Sequence, residues 1–192
     1  MSQNNTYNLQ FKRKREGRTF QKRRIRLLMS NKPRFVVRKS LKGLQVSVIE
    51  YSAKGDKVLL TINSSALNKL GWKADKGNVP SGYLIGLLAG KKALERGVKE
   101  ATLDIGHSAP TKGSRMYAAL AGAIDSGLKI PHDAGILPTK ERISGEHMAN
   151  YAQMLKNDQQ RYERHFSNYI KKGINPADIV KHFNEVKGKI NG

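Results

Sequence analysis

Alternation of apolar and polar positions is the clearest signal in the first half of the chain. Arg34-Phe-Val-Val-Arg-Lys39, Leu44-Gln-Val-Ser-Val-Ile-Glu-Tyr51 and Lys57-Val-Leu-Leu-Thr-Ile62 are short runs rich in β-branched and aromatic residues, which predicts three strands. Ser40-Leu-Lys-Gly43 and Ser52-Ala-Lys-Gly-Asp56 separate them, with the glycine and small polar residues that tight hairpin turns need. The three runs therefore predict an antiparallel meander. Leu44, Val46 and Val48 alternate with Gln45 and Ser47, so one face of this sheet belongs to the core and the other is expected to be polar and available.

The period then changes. Residues 63–72 predict a short helical turn ended by Gly71, and Pro80 to Arg96 a long apolar helix stopped by Gly97. In that helix Leu84, Leu87, Leu88 and Leu94 fall mostly on one face, while Gly82, Gly86 and Gly90 recur every four residues and would let a neighbour approach closely. Glu100 to Ile105 reads as a buried strand, 106–113 as a loop, and Ser114 to Gly127 as a second helix. The order strand, strand, strand, helix, strand, helix implies an α/β fold with a mixed sheet and a right-handed crossover.

From Pro131 to Pro138 the pattern lapses into a loop. Beyond it, Met148, Tyr151, Leu155, Tyr162, Phe166 and Tyr169 keep helical spacing, which predicts an amphipathic helix whose stripe needs a partner surface, either the body of the fold or another molecule. Asn175-Pro176 marks a further helix start, with Ile179, Phe183, Val186 and Ile190 at helical spacing. The divisions expected are a basic arm over 1–32, an α/β core over 33–137 and a helical C-terminal extension over 138–192.

The distribution of charge is strongly uneven. Of the first 42 residues, 14 are Lys or Arg and one, Glu16, is acidic, so this stretch carries +13 of the chain's formal +21. The remainder holds 22 basic and 14 acidic side chains, a net of +8. Within the densest part, Phe11 to Arg26, arginines are interleaved with Phe11, Phe20 and Ile25. Guanidinium groups match phosphate in a bidentate fork, and aromatic rings stack on unpaired bases. The pattern points to nucleic acid, with a solvated basic tail or targeting peptide as the plain alternative. Having few apolar residues, the arm is expected to be disordered alone and to order on binding.

Other chemistry fares worse. With no cysteine there is no disulfide framework, thiolate zinc site or cysteine nucleophile, and no apolar run is long enough to span a bilayer. Asn4-Asn5-Thr6 and Asn63-Ser64-Ser65 match the glycosylation pattern, but no export signal accompanies them. Gly86-Leu-Leu-Ala-Gly-Lys-Lys92 has the wrong glycine spacing for a phosphate loop and lies within a helical pattern. Asp104, His107 and Ser108 are too close in sequence to align as a hydrolase triad, and His107, His132, His147, His165 and His182 lack ligand spacing. A metal-dependent nuclease is a more serious rival, since the element order allows carboxylates such as Glu50 and Asp104 at strand ends. Two-metal hydrolysis needs three or four convergent carboxylates, and beyond Asp56 in a turn no convincing third is present. Pro110-Thr-Lys-Gly-Ser-Arg115 precedes a helix with Ser114 placed as its cap and Lys112 and Arg115 beside the amide-rich end; it reads either as an anion site or as an ordinary capped loop.

Lys32-Pro-Arg-Phe-Val-Val-Arg-Lys-Ser40, Pro80 to Gly90, Leu103-Asp-Ile-Gly106, Pro110 to Arg115, and Gly122 to His132 resemble, in this order, the large-subunit ribosomal protein family that binds 5S rRNA. The family is numbered eighteen in archaea and bacteria and five in eukaryotes, and the long C-terminal region resembles the archaeal form. The resemblance implies a ribonuclease-H-like core of the translation-machinery type, no catalytic activity, no metal or other cofactor, and a cytoplasmic place in the large subunit. It implies 5S rRNA, 23S rRNA and neighbouring proteins of the central protuberance as partners, and no membrane. The RNA contacts it implies are Lys12, Arg13, Lys14, Arg15, Arg18, Lys22, Arg23, Arg24, Arg26 and Lys32 in the arm. To these it adds Arg34, Arg38 and Lys39 in the first strand and Lys112, Ser114 and Arg115 in the loop. A general basic nucleic-acid-binding or chromatin protein is the alternative from another class.

Overall fold

The computed structural model describes residues 8–192; the Asn4-Asn5-Thr6 pattern and the start of the arm lie outside them. The basic leader, expected to lack structure of its own, contains a short helix α1 (Lys12–Arg15) and a longer α2 (Gln21–Leu28). After α2, Asn31 adopts φ 51°, a left-handed conformation that asparagine tolerates better than most residues. The chain then enters the sheet, and Lys32 meets Glu100 at 2.6 Å.

The meander forms as expected: β1 (Arg34–Lys39), β2 (Leu44–Glu50) and β3 (Lys57–Asn63) are antiparallel neighbours, with an irregularity between Val48 and Ile49. A short β4 (Thr102–Asp104) joins β1 in parallel, giving a mixed sheet in the order β3-β2-β1-β4. The strand expected from Glu100 to Ile105 is thus only three residues long. Its upstream part pairs elsewhere: the Ala101 amide donates to the Lys129 carbonyl, and the Lys129 amide to the Lys99 carbonyl. The polar face of β2 is less open than its alternation implies. Gln45 is exposed, but Ser47 is buried, its hydroxyl 2.9 Å from that of Thr61.

Two helices cover the apolar face. In α3 (Val79–Glu95) the Asn78 side chain accepts from the Ser81 amide, and Pro80 sits in the first turn, where its missing N–H costs nothing. It packs against α4 (Arg115–Asp125) backbone to backbone. A Cβ on Gly86 would overlap the Ala119 carbonyl, and one on Gly122 the Tyr83 carbonyl, so the glycines set the closeness of the pair. The Tyr83 hydroxyl bridges it by donating to Asp125 at 2.6 Å.

The C-terminal helices are α5 (Lys140–Ser144), α6 (Glu146–Met154), α7 (Gln159–Lys171) and α8 (Ile179–Asn191). The stripe from Met148 to Tyr169, which predicts one helix, is divided by a 3-10 turn over Leu155–Asn157 and by Asp158, whose side chain caps α7. Their partner surface is the body of the fold. Ile179, Phe183, Val186 and Ile190 of α8 join the same core as Phe35 and Tyr83. His182 stacks on the buried Trp72 at 5.0 Å, and Lys91 donates to the carbonyls of Ile190 and Asn191 at 2.7 and 2.9 Å.

Candidate nucleic-acid interface

The face of the sheet opposite α3 and α4 carries a chain of alternating charge. Arg24 of α2 donates to both carboxylate oxygens of Asp56, at 3.0 and 2.9 Å. Asp56 also receives Arg34 at 2.5 Å, Arg34 reaches Asp104 at 3.2 Å, and Asp104 takes Arg38 at 3.3 Å. Burial by itself raises the Asp56 carboxyl, but hydrogen bonds and charge from Arg24 and Arg34 outweigh it and hold that carboxyl below its ordinary 3.8. The second oxygen of Asp104 accepts the Gly106 amide at 2.8 Å. Asp56 and Asp104, two of the three nuclease candidates of the sequence, are held by arginine and backbone donors, while the third, Glu50, is exposed at the end of β2; among the described residues no group of three or more His, Asp or Glu converges as a metal site.

This network fastens the arm to the sheet. Arg23 donates to the Gly106 carbonyl at 2.7 Å while lying 5.6 Å from the centroid of the Phe20 ring. Arg34, expected to face RNA, is only 4% exposed. That expectation is corrected: its guanidinium is a buried link between two aspartates. The arm's structure has the same origin, because α2 finds one acidic partner, Asp56, and the Gly106 carbonyl on the body, and half-buries Leu27 and Leu28.

Above the network lies a hollow of about 560 Å³ between the arm and the strand ends, lined by Arg13, Arg18, Phe20, Arg23, Arg38 and Lys39, with Arg24, Arg34, Asp104 and the His107–Ala109 loop at its floor and rim. It is cationic and open, with an aromatic edge, which suits a phosphate with a stacked base or ribose. Of the sixteen residues singled out, it thus gathers seven. Lys12, Lys14, Arg15, Lys22 and Arg26 point outward around it and are exposed. So are Phe11, Phe20 and Ile25, at 79, 53 and 57%.

The loop before α4 is different. Lys112 is exposed, and Ser114 occupies the cap position without making a side-chain cap bond. Arg115 donates to the Gly77 carbonyl at 2.7 Å and to the Ser40 carbonyl at 2.8 Å. It ties two loops of the body together instead of reaching outward. Lys32 is paired with Glu100, which that contact holds below the ordinary carboxylate range. The His107–Ala109 loop also walls the hollow, a role that its position directly after Asp104 signals in the sequence.

The fold and the basic hollow agree with what the chain is similar to. A family model described as ribosomal large subunit proteins 60S L5 and 50S L18 matches residues 5–100 and 95–133. These segments cover well over half of the chain, which therefore belongs to that family and is a structural, non-enzymatic constituent of the large ribosomal subunit.

Proposed function

We propose that this chain, as the archaeal form of its family, binds 5S rRNA and helps attach it to 23S rRNA in the central protuberance, beside neighbouring large-subunit proteins. The observation that carries this reading is the hollow in which Arg13, Arg18, Arg23, Arg38 and Lys39 surround Phe20. Cations alone would suit any polyanion. A ring set among them suits a nucleic acid with splayed bases, which folded RNA offers and duplex DNA does not.

Arm and core then divide the work. Lys12, Arg13, Lys14, Arg15, Arg18, Lys22 and Arg26 neutralise phosphates and release counterions, giving affinity. Arg38 and Lys39 continue that contact at the C-terminal end of β1, with Lys112 as an outlying phosphate contact. Arg23 and Arg24 hold the arm at the correct angle, and the exposed rings select unpaired bases. If about eight phosphates are engaged, log K falls with log salt at a slope of roughly −6 to −7. The test is competition: labelled 5S rRNA bound to the full chain at physiological salt is challenged with excess duplex DNA. Retention of the RNA supports the reading, and its displacement by that excess would make the chain a nonselective polyanion binder.

A further inference from the structure

A second basic surface begins where the first ends. Arg38 and Lys39, on the rim of the arm hollow, also line a depression of about 410 Å³ that contains Lys42 and Lys76. Lys42 and Lys76 in turn line a neighbouring depression of about 540 Å³ with Lys172 of α7. Lys76 and Lys172 then line a third, of about 370 Å³, with Lys73. The three share walls and form one channel from the β1–β2 turn to the C-terminal helices. Among its lining residues the only carboxylate is Asp75, 3.5 Å from Lys172. The other polar groups include the amides of Asn63, Asn68 and Asn168, neutral donors suited to phosphate and ribose oxygens.

The channel is built and held. Arg115 clasps the Ser40 and Gly77 carbonyls, so it fixes the turn that bears Lys42 and the loop that bears Lys76 relative to each other. The turn is closed by the Ser40 amide donating to the Gly43 carbonyl, and the Leu44 amide donates to the Ser64 hydroxyl. On the far wall, the buried Tyr169 anchors α7 beside Asn78, 3.4 Å from its side-chain amide. Lysines on a prearranged frame lose less entropy on binding than lysines on a mobile tail. At the tip of the turn Leu41 is 98% exposed, an apolar side chain placed among cations where a ribose or base face can cover it.

We propose that this channel is a second RNA-backbone contact, followed by the same polymer after it leaves the arm hollow at Lys39, so that the core and α7 grip RNA independently of the arm. The inference rests on the reading that the chain binds 5S rRNA. Continuity through Arg38 and Lys39 favours one polyanion crossing both surfaces over a separate acidic protein segment in the channel.

The test measures 5S rRNA affinity against salt for the full chain carrying Lys42→Gln, Lys76→Gln and Lys172→Gln together. A parallel arm variant carries Lys12→Gln, Arg15→Gln and Arg18→Gln. Removing three phosphate contacts reduces the steepness of the slope by about 2, which corresponds to about a 40-fold loss of affinity at 0.15 M salt. The channel triple is expected to show this, and Lys→Arg at the same three positions to restore the slope, since charge is kept. If the arm triple weakens binding while the channel triple does not, the channel is not an RNA contact and only this inference fails. If neither variant changes the slope, the 5S rRNA reading fails with it.

Discussion

The outer and inner parts of the basic arm are built from the same residue types and differ in what faces them. Around α1, Lys12 to Arg18 are exposed, and their one acidic neighbour, Glu16, lies 3.0 Å from Arg18 and 3.9 Å from Lys12. Such exposed pairs contribute little to stability. At the inner end of the arm and the first strand, Arg23, Arg24 and Arg34 are bonded to Gly106, Asp56 and Asp104. Charge density therefore marks a candidate interface but overstates its size. A guanidinium drawn out of solvent by a carboxylate or carbonyl of its own chain belongs to the scaffold, whereas one that stays exposed, even when paired as Arg18 and Arg38 are, can still meet RNA.

Five substitutions test this division between scaffold and exposed charge. Arg34→Ala has the largest effect, since it leaves Asp104 buried beside a lost partner; about 3–5 kcal/mol of stability and a fall in melting temperature of about 10 °C are expected. A shift under 2 °C in thermal unfolding would return Arg34 to the surface. Next, Arg115→Ala removes two charge-assisted bonds to backbone carbonyls and is expected to destabilise by about 2 kcal/mol. An unchanged melting temperature with a salt slope shallower by about 0.7 would instead make it a direct phosphate contact.

Arg24→Ala loses one of the two arginines on Asp56, and at a partly exposed site about 1 kcal/mol is expected. The pH dependence supplies the sign. Because the folded Asp56 carboxyl lies below its ordinary 3.8, the folded state binds fewer protons there than the unfolded state. The stabilisation is fully present above about pH 5 and is lost as pH falls through 3.8 toward the folded value. Chemical denaturation of the wild type and Asp56→Asn should therefore converge in acid; a gap that widens in acid would refute the assignment. The smallest effect belongs to Arg26→Ala. It is exposed, so thermal unfolding is expected to be unchanged while 5S rRNA affinity falls about fourfold at 0.15 M salt, measured by filter binding.

Much of this was legible in the sequence where one period dominates. The meander follows from alternation in Leu44 to Val48, and the close pair of α3 and α4 from glycines every fourth residue. The break between α6 and α7 was hidden because Leu155 and Tyr162, seven apart, keep helical phase across it, although Asp158 carries the cap signature that divides them. The helix Lys140–Ser144 is too short to show a period. At the interface, the excess of positive charge was plain, whereas its division was not. Arg24 and Arg34 meet Asp56 across 32 and 22 residues, and Arg115 meets a carbonyl 75 residues away. Such partners follow from tertiary register, which no local pattern encodes.

The most direct test of the outer arm's role removes residues 1–18 and leaves Arg23, Arg24 and β1 in place. The dependence of 5S rRNA affinity on salt is then compared with that of the full chain. Loss of Lys12, Arg13, Lys14, Arg15 and Arg18 is expected to make the slope shallower by roughly 3 to 4, with the melting temperature nearly unchanged. An unaltered slope and affinity in the shortened protein would contradict the claim that these side chains grip the RNA.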